Sequence, residues 1–170
     1  MNIKNLVDKT ASFLVKRLSE LTGIALLCLS VLLLASLISY SPEDPNFIFP
    51  ENAEIKNLLG AKGSYASDIL YQSIGLISLL VPISFFFISL SVIIDKKILC
   101  IIESLFFIIL YSITGTLFFT VFHAETYWLT INGNNGFVGN LYEGTFLINL
   151  INLNNQISYV ILIILILLFF

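Results

Sequence analysis

The chain has 170 residues, of which 58% are hydrophobic and 11% charged, and its mean hydropathy is +0.97. That balance excludes a soluble domain, because a water-facing surface draws on roughly twice as many charged residues, about 25% of an ordinary globular chain. The net charge of -3 and eight dispersed Lys and Arg residues exclude a basic groove able to follow a phosphate backbone, so DNA contact by these residues is not expected.

In chain order, Ile3, Leu6, Val7, Ala11, Leu14 and Leu18 recur at helical spacing, with Lys9 and Lys16 on the other side. Two readings stay open for this stretch. It is either an amphipathic helix lying on the cytoplasmic leaflet, each basic residue adding about 1 kcal/mol of attraction to anionic lipid, or an ordinary cytoplasmic extension of the span that follows. Residues 1–20 are therefore assigned to a cytoplasmic N-terminal segment and residues 21–170 to a four-helix membrane domain.

Leu21 to Tyr40 carries no charge and meets the roughly 20 residues that a helix rising ~1.5 Å per residue needs to cross hydrocarbon. It is too long for the apolar core of a usual signal peptide, and Ala35-Ser36-Leu37 is a poor small-x-small cleavage site, so a retained anchor is preferred. Ile69 to Ile94 is the second span, with Pro82 expected to bend or tilt it. Ile98 to Phe122 is the third, carrying Glu103 near its start. Ile157 to Phe170 is the fourth; at 14 residues it is shorter than a bilayer, and the expectation is a truncated helix. Cys28 and Cys100 lie in apolar runs with no metal-ligand spacing and read as inert thiols.

Lys4, Lys9, Lys16 and Arg17 precede span one, and Lys96 and Lys97 sit in the turn between spans two and three. Those six fall on one side, which the positive-inside rule makes cytoplasmic, so the N-terminus is expected there.

On the outer side, Ser41-Pro42-Glu43-Asp44-Pro45 stops the first helix, since proline cannot continue the ladder and the residue before it is pushed out of the α region. Gly60 and Gly63 permit tight turns or close backbone approach, and Ser64 or Ser67 is a candidate cap for the second span, with Asp68 as a first-turn charge. Tyr127 and Trp128 suit the headgroup level. An offset of 76 residues places Gly60 on Gly136 and Gly63 on Gly139, which two similar hairpins or chance would equally produce. Phe146 to Leu153, apolar but broken by asparagines, is expected to lie at the outer interface or dip back from it.

Chemistry is sparse. No Gly is followed by Lys, so no P-loop is present and ATP hydrolysis by these residues is not expected. Glu103 offers an intramembrane relay site or, more simply, a partner for Lys96 and Lys97. His123 and Glu125 offer a pH-sensitive pair or plain interfacial solvation. A small transport subunit with Glu103 on a polar path bent at Pro82 is the alternative functional reading.

Ser39-Tyr40-Ser41-Pro42-Glu43-Asp44-Pro45-Asn46-Phe47 resembles the signature that closes the first transmembrane helix in FtsK/SpoIIIE DNA translocases, with Asn46 and Phe47 in place of the usual serine and tryptophan. Asn57, Gly60, Gly63, Ala66, Asp68, Gly75 and Pro82 fall as that family's residues do around its second helix. Gly133, Gly136 and Gly139 resemble its glycine-rich motif before the fourth. The resemblance implies an all-α membrane protein of four transmembrane helices in two hairpins, with short interfacial or re-entrant helices outside. It implies an inner-membrane anchor, N-terminus cytoplasmic, that reaches the division septum and meets membrane lipid, division-site proteins and further copies of itself. Catalytic, cofactor and metal residues are not expected here; ATP, magnesium and DNA belong to the family's motor domain, beyond these residues.

Overall fold

The computed structural model describes residues 3–46, 54–96, 98–123, 129 and 131–170, with residues 3–7 by backbone only. Their regular structure is helical: α1 (Ile3–Ile38), α2 (Gly60–Ile74), a 3-10 segment (Gly75–Leu79), α3 (Leu80–Asp95), α4 (Cys100–Phe122), α5 (Gly136–Asn140), α6 (Phe146–Asn152) and α7 (Asn155–Phe169). Three stretches are long and apolar enough to cross a membrane, namely Asp8–Ile38, Gly60–Asp95 and Cys100–Phe122. A fourth crossing exists if α6 and α7, bent by 114° at their break, count as one span. The chain is an all-α, multi-pass membrane protein.

α1 is one continuous helix from the N-terminal segment through the first span. It packs chiefly on α3. Gly23 lets the backbones approach, because a Cβ there would meet the Ile93 side chain and lie 3.2 Å from the Ser89 carbonyl. Ser30 donates to the Pro82 carbonyl across the same contact, at 2.8 Å. Small residues and one interhelical hydrogen bond are the expected means of helix association where lipid offers no hydrophobic gain. α4 packs on α7, around Phe118, Ile151 and Leu162.

The second span differs from the sequence expectation in three ways. Its helix starts at Gly60 rather than near Ile69, so Ser64 and Ser67 lie inside α2 and do not cap it. Asp68 is buried in mid-helix rather than in the first turn. The break falls at the 3-10 segment, not at Pro82, which occupies the first turn of α3. There proline's missing N–H falls where the 3-10 segment hands over to the α-helix, a position at which proline is tolerated.

At the opposite end, Glu20 accepts from Arg17 and from Lys96, both at 2.6 Å. This cluster ties α1 to the α3–α4 turn and places Arg17 and Lys96 at one end of the bundle, as their charge grouping predicted. Glu103 stands exposed in the first turn of α4, with no ion pair among the described residues. Lys97, Phe47, Glu125, Tyr127 and Trp128 lie outside the described residues.

Candidate functional site

The motif residues singled out from sequence converge at the outer end of the bundle, where α1 stops. A helix ends with four carbonyls that have no helical donor. In α1 the Ala35 carbonyl accepts from the Ser39 N–H at 3.1 Å, and the Ser36 carbonyl accepts from the Asn57 side-chain amide at 2.9 Å. The Leu37 carbonyl accepts from the Tyr71 hydroxyl at 3.2 Å. Two of these caps come from distant chain segments.

After Ser39, a turn closes with the Asp44 N–H donating to the Ser41 carbonyl at 3.2 Å, and Pro42 holds the position whose φ proline presets. That turn buries Asp44 to 5% exposure. Its two carboxylate oxygens accept the backbone N–H groups of Lys56 at 2.9 Å and Asn57 at 2.8 Å. Such charge-assisted bonds are strong ones. Outside them, Lys56 pairs with Glu43 at the surface.

Asn57 is the centre of this latch. Its carbonyl oxygen accepts from the Leu59 N–H at 3.1 Å, while its amide reaches Ser36 as above and lies 3.4 Å from the Ser67 hydroxyl. Gly63 packs beneath it, and a Cβ there would run into the Asn57 side chain. The Ser36 hydroxyl donates to the Gly63 carbonyl at 2.6 Å, and the Ser64 hydroxyl to the Pro45 carbonyl at 2.7 Å. Tyr40 packs against Tyr71 with ring centroids 4.9 Å apart and ring planes tilted by 51°, and its hydroxyl reaches Asp68 at 3.4 Å. Burial, then the Asp68 charge, push the Tyr40 phenol up to about 12.

The second glycine group joins the same junction. Asn134 donates to the His123 carbonyl at 2.8 Å, closing the end of α4 as Asn57 closes α1. Asn132 donates to Gln72 at 2.9 Å. Gly75 and Gly136 both have φ +65° and lie against each other; a Cβ on Gly136 would sit 2.5 Å from the Gly75 nitrogen. Beside them the Leu76 N–H donates to the Asn134 carbonyl at 2.9 Å. Gly60 matches Gly136 in opening its helix at φ +65°. Gly139 packs under Asn135 and Thr120.

Thus Ser39, Tyr40, Ser41, Pro42, Asp44, Pro45, Asn57, Gly60, Gly63 and Asp68 form one half of the junction and Gly133, Gly136 and Gly139 the other. Pro82 stands apart, against α1 in the bundle. Sequence reasoning missed Ser36, Tyr71, Gln72, Asn132 and Asn134. For Ser36 the signal was present, a hydroxyl within a span that must find an acceptor.

The junction holds backbones, and no group of His, Cys, Asp and Glu suited to a metal occurs among the described residues. His123 packs its ring beside Phe118 and Tyr159. A groove of about 340 Å³ between α3, α4 and the end of α7 carries the hydroxyls of Ser84, Ser91, Ser104 and Tyr111 and no carboxylate or cation. Glu103 does not line it.

The model of the family described as "4TM region of DNA translocase FtsK/SpoIIIE" matches residues 15–170. The DNA translocase FtsK of Rickettsia bellii (strain RML369-C) is 35% identical over 68 residues, 40% of this chain and 9% of that protein. The DNA translocase FtsK of Azospirillum brasilense is 38% identical over 68 residues, 39% of this chain and 11% of that protein. The match thus spans about a tenth of the curated relatives' length. No solved structure matches the chain.

Proposed function

Because the chain belongs to the family of the 4TM region of DNA translocase FtsK/SpoIIIE, we propose that it anchors a DNA translocase in the bacterial inner membrane and brings it to the division septum. The observation that carries this reading is the outer junction. Asp44 and Asn57 fix the segment after α1 against α2 by hydrogen bonds to backbone, which presents a preorganised surface. Preorganised surface loops on a rigid helical frame suit recognition of partner proteins. The N-terminus faces the cytoplasm, supported by the basic end at which Arg17 and Lys96 share Glu20. ATP hydrolysis and DNA contact belong to the family's motor and enter only through it.

A fluorescent fusion of residues 1–170 in dividing cells tests the reading. A band at midcell is expected; uniform labelling of the cell periphery at normal abundance overturns it. Replacing Pro42 and Asp44 separates two roles, since loss of the midcell band without loss of protein assigns recruitment to this loop.

A further inference from the structure

The outer junction buries two carboxylates, and their surroundings differ. Asp44 is 5% exposed, and each of its oxygens accepts a backbone N–H, at 2.9 and 2.8 Å. Asp68 is equally hidden, at 6%. Tyr40 and Gln72 both reach the same oxygen of its carboxylate, at 3.4 and 3.5 Å, and the second oxygen makes no hydrogen bond to the described residues. Charge-assisted bonds from N–H donors run to about 2.7–2.9 Å, so these two longer ones do little for a negative charge. A buried ion with neither close donors nor a counter-ion keeps most of its desolvation cost.

No cation makes up the difference among the described residues. The ion pairs there hold Arg17, Lys56 and Lys96 to Glu20 and Glu43, and Lys62, on the same helix as Asp68, is exposed. The other titratable groups at this point are Tyr40, which comes from the end of α1, and Tyr71 of α2, which packs on Tyr40 with its hydroxyl on the Leu37 carbonyl. From α4, His123 packs its ring against Phe118 and Tyr159 instead. From the second outer loop the contact is neutral: the Asn132 amide donates to the Gln72 side-chain oxygen at 2.9 Å. Gln72 thus touches Asp68 with its nitrogen and the second half of the junction with its oxygen.

We propose that Asp68 is a proton switch of the outer junction: on acidification it takes a proton from the medium on its unbonded oxygen, the buried charge disappears, and the two halves close more tightly. The bonds from Tyr40 and Gln72 survive, because both end on the other oxygen. When the proton leaves, only water relieves the carboxylate, and water reaches it by parting it from Gln72, which carries Asn132 and the second loop. The sign follows from linkage. The closed junction binds the proton more tightly than the unfolded chain does, so the contribution of Asp68 is greatest at low pH and is lost as the pH rises.

Asp68→Asn is the neutral isostere: its carbonyl oxygen keeps both acceptor bonds, and its amide nitrogen stands where the proton would be. Equilibrium unfolding in mixed micelles at about pH 8 and about pH 5 compares it with the parent. At the higher pH the variant is expected to be the more stable, with an unfolding constant about tenfold lower; at the lower pH the two are expected to converge. Hydrogen exchange at Leu76, whose N–H bonds the Asn134 carbonyl across the two halves, is expected to slow relative to its intrinsic rate as the parent is acidified, and to stay level in Asp68→Asn. A merely structural role for the carboxylate would leave the variant weaker at both pH values. That result, a difference that does not change with pH, failure of Asp68→Asn to accumulate in membranes, or Leu76 protection indifferent to pH in the parent would each overturn the proposal.

Discussion

Replacing Asn57 by alanine removes the cap on α1 that comes from the far side of the outer loop. Two well-formed bonds disappear, to the Ser36 carbonyl at 2.9 Å and from the Leu59 N–H at 3.1 Å, in a residue only 5% exposed. Each bond contributes about 1 kcal/mol net, and the stranded Ser36 carbonyl adds about 1 more, giving a loss of about 2–3 kcal/mol. Asn57→Asp goes further. It keeps the acceptor for Leu59 but turns the donor into a second acceptor aimed at the Ser36 carbonyl, near the Asp44 carboxylate, so it is expected to cost more than alanine. Equilibrium unfolding in mixed micelles measures both, and hydrogen exchange at Leu59 reports the local change. An alanine variant within about 0.5 kcal/mol of the parent, or an aspartate variant more stable than alanine, would refute the capping account.

The paired glycines separate conformation from space. Gly60 has φ +65° with nothing near its missing Cβ, so Gly60→Ala is expected to cost about 1 kcal/mol, the left-handed penalty alone; Gly136→Ala, at the same φ but against the Gly75 backbone, is expected to prevent the folded protein from accumulating in membranes. Alkaline titration tests Tyr40, whose phenol is raised from 10.0 to about 12. A raised folded value means the folded state holds the proton more tightly, so its contribution is intact below pH 10 and is lost as the pH climbs towards 12. Tyrosinate absorbance is expected to show this late step, and Tyr40→Phe to lower its amplitude by one tyrosine's share without removing it.

The spans were legible because hydrophobic length is written residue by residue, and Lys96 reported its shared end with Arg17 through charge alone. The glycines were legible too, as left-handed or close-packed positions few other residues tolerate. The break in the second span was not, since the change from α to 3-10 geometry comes at Gly75, where the left-handed backbone meets Asn134 and Gly136 from far along the chain. Ser64 and Asp68 were misplaced because they were assigned relative to a helix start set nine residues late. Asn57 capping Ser36 joins residues 21 apart, and no local pattern announces a cap that arrives from across a loop.

The crossing of Gly75 and Gly136 sets a distance without side chains. Where two helices meet through leucine or phenylalanine, their spacing drifts as those residues are exchanged, because each added carbon is a spacer. Here peptide group meets peptide group, and the separation of the two halves at this point is set by backbone van der Waals contact and the Leu76–Asn134 hydrogen bond. Substitution elsewhere in the bundle can tilt the helices about this point but cannot widen it. The outer surface therefore keeps one reference spacing while the lipid-facing sequence is free to change around it.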